Sequence, residues 1–245
     1  MSQPKNDYLN SSLNVGLVKE KFFTYDQPFE MEGGCLDEFT LAYETYGKLN
    51  ASADNAILIC HALTGDHHVA GVYSEEDDKP GWWNHVVGPG KPIDTNRFFV
   101  LSSNCLGGCR GSTGPASKIP NETDRTFGAS FPDLSIQDMI RAQRQLIDHL
   151  GINKLHAVVG GSMGGMQALQ WIVEYPGFVK NAVIIAATAQ HSVQTIAFNE
   201  AGRNAIRGDL EWKDGNYSKE KGPAQGLSVA RMMAHITYLS DIGME

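Results

Sequence analysis

The sequence predicts an α/β protein: a mostly parallel central sheet flanked by helices. Three observations carry this. Continuous apolar runs at 56–60 and 155–159 read as strands covered on both faces. Helical patterns with start and stop signals follow at 135–150 and 166–173, so strands and helices alternate. The chain has 245 residues, 42% of them hydrophobic, which suffices for one sizeable core.

The elements follow in order. Residues 39–46 alternate and are rich in β-formers, a strand that Gly47 to Asn50 breaks. The apolar run 56–60 is a central strand, and 97–102 is another. Ser135 and Asp138 form a capping box, with Asp in place of the usual Glu. The helix they open carries Ile136, Ile140, Leu146, Ile147 and Leu150 on one stripe and closes at Gly151. Then come the strand 155–159, a helix ending near Pro176-Gly177, and a strand over 181–187. After about residue 190 the pattern changes. Stretches 191–207 and 227–239 read as helices joined by a polar loop, with no strand. They are expected to begin a helical lid over the sheet's C-terminal edge. The expected organisation is therefore 1–190 as the N-terminal part of the core and 191–245 as the start of the lid. The C-terminal remainder of the core is expected to be absent.

Composition excludes several functions. A net charge of −8 without a basic run argues against nucleic acid or an anionic membrane as partner. No apolar stretch is long enough to span a bilayer, and residues 2–10 are too polar for a signal peptide. The four cysteines, at 35, 60, 105 and 109, lack paired zinc spacing and read as reduced thiols of a cytoplasmic protein. His67-His68 has no third ligand at recognisable spacing, so no metal is expected.

The chemistry centres on Gly160-Gly161-Ser162-Met163-Gly164, which fits G-x-S-x-G between a strand and a helix. That context makes a nucleophile elbow: a strained turn presenting the Ser162 hydroxyl at the top of the sheet. The fold expected is therefore that of the α/β-hydrolases. An acyl-transfer serine also needs backbone N–H groups aimed at the tetrahedral oxyanion. On this fold one comes from the residue after the nucleophile, Met163. The other comes from the loop after an earlier central strand, here 61–65, where Leu63 is the expected donor.

The motifs closely resemble those of the homoserine O-acyltransferases of methionine biosynthesis, chiefly the O-acetyltransferases. The matching blocks are His61-Ala62-Leu63-Thr64-Gly65-Asp66, Gly81-Trp82-Trp83, residues 106–115, residues 160–167 and Ala234-His235-Ile236-Thr237-Tyr238. The resemblance implies ping-pong transfer. Ser162 takes an acyl group from acyl-CoA and passes it to the γ-hydroxyl of L-homoserine, with no permanently bound cofactor. It implies that Arg231 grips the homoserine carboxylate, which the guanidinium fork suits. Tyr238 and Thr64 are implied in the same substrate pocket. It implies a homodimer as well. Acetyl and succinyl donors both stay open, Arg110 being a candidate partner for a succinyl carboxylate. Serine stays open as acceptor, one methylene shorter than homoserine.

A base is not evident. This fold places the triad acid and then the histidine after the serine. Only His191 and His235 follow Ser162, and neither follows a late strand carrying an acid. The chain is therefore expected to be the N-terminal two-thirds of an enzyme and to turn over very slowly by itself. Two rival readings remain: a serine esterase of the same fold, and a non-catalytic hydrolase-like binding protein.

Overall fold

The computed structural model describes residues 11–244 except Asn121, Thr123, Asp124 and Lys219. It divides into two compact units. The first runs to Ser117 and resumes over Pro132–Thr188; the second joins Lys118–Phe131 to the chain from Ala189 onward.

The first unit is an α/β structure built on a six-stranded sheet. Its elements are β1 (Lys21–Tyr25), β2 (Phe29–Met31), β3 (Gly34–Leu36), β4 (Phe39–Tyr46), β5 (Ala56–Cys60), β6 (Val87–Gly88), β7 (Ile93–Asp94) and β8 (Phe99–Ser103). Then follow α1 (Ile136–His149), β9 (Leu155–Gly161), α2 (Met163–Glu174) and β10 (Ala182–Ile185). The strand order is β1-β4-β8-β5-β9-β10. Strands β8, β5, β9 and β10 run parallel, while β4 and β1 add an antiparallel flank. The apolar run 56–60 is central for the reason its composition gives: all five residues of β5 are buried, between β8 and β9. On one face Ile57, Ile59, Val100 and Val159 pack with Tyr46, Val69 and Val87.

Helix α1 starts where the capping box places it. The Ser135 hydroxyl accepts from the Asp138 N–H, and the Asp138 carboxylate accepts from the Ser135 N–H. The same carboxylate takes the Glu32 N–H, tying α1 to the β2–β3 hairpin. At the other end Leu150 is the cap residue, and Gly151 just beyond it turns the chain at φ +68°. Helix α2 begins at Met163, three residues before its apolar pattern does. Gly164 and Gly165 are poor helix formers, and their packing against the sheet supplies what propensity does not.

The second unit is helical. It holds α3 (Val193–Arg207), α4 (Ala224–Tyr238), α5 (Asp241–Met244) and two short 3-10 turns, at Gly128–Ser130 and Lys213–Gly215. The Ser192 hydroxyl caps α3 by accepting the Thr195 N–H. Helix α4 lacks a capping side chain at Pro223; instead the Asp209 carboxylate accepts the Gly226 N–H at 2.9 Å. That bond is the main cause holding the Asp209 pKa below the usual carboxylate range. Gly226 lies directly against the Ala205 carbonyl, so α3 and α4 pack backbone to backbone.

Candidate active site

Strand β9 delivers Ser162 to the tip of the sheet. Its N–H donates to the Ile185 carbonyl of β10 at 3.0 Å, and its carbonyl accepts from Met166, the first bond of α2. Between these anchors the Ser162 backbone stands at φ 55° and ψ −121°, where an L-residue costs about 1–3 kcal/mol. The side chain is exposed, and its hydroxyl bonds to no described residue. The strain is held in place by close packing. A Cβ on Gly160 would strike the Gly164 carbonyl, and a Cβ on Gly164 would strike the Cys60 carbonyl at the end of β5. Hydrogen at both positions thus lets the start of α2 sit on the root of the 61–65 loop.

That loop is fixed from below. His61, 2% exposed, accepts the Cys105 N–H at Nε2 over 2.9 Å, so its proton sits on Nδ1, facing the Ala62 carbonyl at 2.7 Å. Burial, first of all, holds the His61 pKa below its ordinary value, so the ring is a neutral strut. Beside it Gln167, fully buried on α2, reaches the His61 carbonyl with Nε2 at 3.5 Å. Its Oε1 accepts from Gln143 Nε2 of α1 at 2.8 Å, and Gln143 Oε1 accepts from Trp171 Nε1 at 2.8 Å. The thiols of Cys60 and Cys105 border these amides. Burial pushes both pKa values up, that of Cys105 to about 12, so both are inert packing thiols. A turn closed by Gly65 N–H on the Ala62 carbonyl leaves Leu63 74% exposed at its tip, with Thr64 exposed next to it. Neither the Leu63 nor the Met163 N–H donates to a described residue. Both remain available to a ligand oxygen.

The 106–115 block runs beside this loop. Asn104 Nδ2 holds the Arg110 carbonyl at 2.9 Å, and Gly107 N–H bonds the Thr113 carbonyl. The Arg110 side chain, largely exposed, lies 3.9 Å from the Asp66 carboxylate. In the second unit, Arg231 lines a groove of about 650 Å³ with Leu227, Met232, His235, Ile236 and Met244. Arg231 is exposed and pairs with no described carboxylate. His235 Nδ1 lies 2.8 Å from the Arg231 carbonyl one turn back, and Tyr238 is exposed near the end of the same helix. Among the described residues no group of three or more His, Cys, Asp and Glu is placed to hold a metal.

Comparison with known proteins places this geometry. The alpha/beta hydrolase fold family matches residues 55–243. The chain belongs to that family. Within it, the chain is 58% identical over 235 residues to a homoserine O-acetyltransferase of Methanococcoides burtonii, covering 96% of this chain and 48% of that protein. It is 54% identical over 233 residues to a homoserine O-succinyltransferase of Marinobacter nauticus, covering 94% of this chain and 61% of that protein. Among solved structures, a homoserine O-acetyltransferase from Bacillus anthracis superposes with TM-score 0.84 at 37% identity, over 90% of this chain and 60% of that one. A mutant of esterase E22 superposes with TM-score 0.86, also at 37% identity, over 92% and 63%. The chain spans about half to three-fifths of the length of these curated relatives.

As an α/β-hydrolase the chain has Ser162 and the 61–65 loop in one unit. The sequence reading singled out Ser162, Leu63 and Met163 as candidates from motif and position. It missed the glutamine pair. Its signal was present: Gln143 falls on the apolar stripe of α1 and Gln167 on that of α2, where an uncharged amide needs partners. Among the described residues no helix is long and apolar enough to cross a membrane.

Proposed function

We propose that the protein is an acyl-CoA:L-homoserine O-acyltransferase, working by ping-pong acyl transfer through Ser162. The observation that supports this reading most is the strained, exposed Ser162, set between a β-strand and a helix N-terminus beside a loop with free N–H groups. Such strain is retained where it presents a reactive group. The Ser162 hydroxyl attacks the thioester carbonyl. The oxyanion settles on the Leu63 and Met163 N–H groups, and CoA leaves as the thiol. The γ-hydroxyl of homoserine then attacks the acyl-serine, and the ester product departs. Arg231 pairs the homoserine carboxylate, helped by Tyr238 of the same helix, and Thr64 is a further substrate contact. The α3–α4 helices are the start of the lid, and the working enzyme is a cytoplasmic homodimer.

The relatives at 54–58% identity support homoserine as acceptor, and acetyl as the donor over succinyl. The likeness to esterase E22 supports a second reading, in which water takes the acyl group. CoA release from acetyl-CoA and succinyl-CoA, with and without L-homoserine, separates these. The full-length protein is expected to release CoA beyond one equivalent per Ser162 only with homoserine, and faster from acetyl-CoA. Release that ignores homoserine would instead make it an esterase.

A further inference from the structure

The 61–65 loop is fixed at its near end by His61. Its far end enters a buried polar cluster that the acyl-transfer scheme does not use. Glu44 projects from β4 and is fully buried. Its cross-strand neighbour on β8 is Ser102. Its carboxylate accepts a hydrogen bond from the Tyr46 hydroxyl and lies 3.1 and 3.3 Å from His68 Nδ1. The Tyr46 oxygen in turn accepts the N–H groups of Val69 and Ala70, at 3.1 and 3.2 Å. His68 stacks on Tyr73, with ring centroids 4.2 Å apart. Burial first, and the Glu44 carboxylate after it, push the Tyr73 hydroxyl pKa up. His67, also buried, points Nε2 at Glu20, 2.9 Å away, and lies 4.0 Å from Glu44. No lysine or arginine pairs with Glu44 among the described residues.

A buried carboxylate this poor in cations is expensive unless its partners are fixed. Here those partners gather on one loop: His68 and, through Tyr46, Val69 and Ala70, with the Tyr73 hydroxyl beside them. The same segment is also held by Asp66, whose carboxylate takes the His68 N–H and whose carbonyl takes the Trp82 indole N–H, by the His68 and Val69 carbonyls, which accept the Trp82 and Trp83 N–H groups, and by the burial of Val69 and Ala70. Leu63 stands three residues before Asp66, at the exposed tip of the same loop.

We propose that Glu44 is a positioning residue for the oxyanion hole: by helping to clamp residues 68–70 it fixes where the Leu63 N–H points. This rests on the acyl-serine reading of Ser162 but not on homoserine as acceptor. Glu44 touches no reacting atom. It acts through His68 and Tyr46, and so it governs the formation of the acyl-serine rather than the grip on substrate.

The test is Glu44→Gln and Tyr46→Phe in the full-length protein. Gln keeps the size of Glu and a carbonyl acceptor but removes the charge that holds His68. Three readouts are needed: the rate of Ser162 acylation by p-nitrophenyl acetate, KM, and amide hydrogen exchange across 61–70. The expected result is a fall in acylation rate of tenfold or more, toward the ~10²-fold that a misplacement of about 1 Å can cost. KM should stay within about twofold of the parent value on that same scale. Exchange should quicken in 61–70 and stay unchanged in α1. Glu44→Asp should recover part of the rate. Because p-nitrophenyl acetate needs no homoserine, a parent protein that proves to be an esterase would overturn the acyltransferase reading and leave this test intact. An acylation rate unchanged in Glu44→Gln would overturn the proposal. So would a loss that tracks a general fall in Tm with no local change in exchange.

Discussion

At the scale of single residues, two side chains carry the account. Ser162 holds a backbone conformation that glycine tolerates far better. Ser162→Gly is expected to abolish acyl transfer yet raise stability by about 1 kcal/mol, as released strain outweighs the added chain entropy. Denaturant midpoints of the two proteins check this; a lower midpoint for the glycine variant would mean that the turn is not strained. His61 gives a pH dependence. Its folded pKa lies below the ordinary 6.5 because burial disfavours the imidazolium. In that window the unfolded chain binds the extra proton, so stability is whole above about 6.5 and is lost as pH falls through the folded value. The slope from this group cannot exceed about 1.4 kcal/mol per pH unit. His61→Gln should flatten the stability profile just below about pH 6.5 relative to the parent. Urea titrations at several pH values would reveal it, and an unchanged slope would show that His61 is not the group responsible.

At the scale of elements, the site is a matter of how closely α2 approaches β5. Gly164 on α2 and the Cys60 carbonyl leave no room for a methyl group, and the opposing atoms are backbone that cannot swing aside. Gly164→Ala is expected to destabilise by about 1–3 kcal/mol and to displace the 61–65 loop. Thermal unfolding reads the first effect and acylation rate the second. A variant with parent-like Tm and rate would mean that the approach is looser than the structure has it. The same closeness explains what the sequence could reveal. Strands β4, β5 and β9 and the capped start of α1 were legible because each rests on its own local pattern. Ser162 was legible because the elbow is a contiguous motif. The short strands β1 to β3 were not read, because β1 is half solvated and the hairpin is held largely by contacts such as Asp138 to Glu32. Glu44 and Gln143 were not legible as parts of the site for a similar reason. Their partners lie 24 residues away at His68 and Gln167, which no local pattern brings together.

At the scale of the whole molecule, the first unit presents a sheet whose last strand in the order is β10. Val183, Ile184 and Ile185 of that strand are 47%, 37% and 43% exposed. An apolar edge of this kind pairs readily with another chain. Val183→Lys is therefore expected to lower aggregation of the 245-residue chain at fixed concentration, by light scattering, without unfolding it. Equal scattering from both proteins would place the sticky surface elsewhere. The central claim concerns the intact enzyme: Ser162 carries the acyl group, and homoserine receives it. The most direct test is rapid-quench mass spectrometry of the full-length protein mixed with acetyl-CoA alone and then chased with L-homoserine. The account predicts one acetyl group on the peptide holding Ser162, stable in water and discharged on the chase as O-acetylhomoserine. An acetyl group on another residue, or one that water removes as fast as homoserine does, would contradict it.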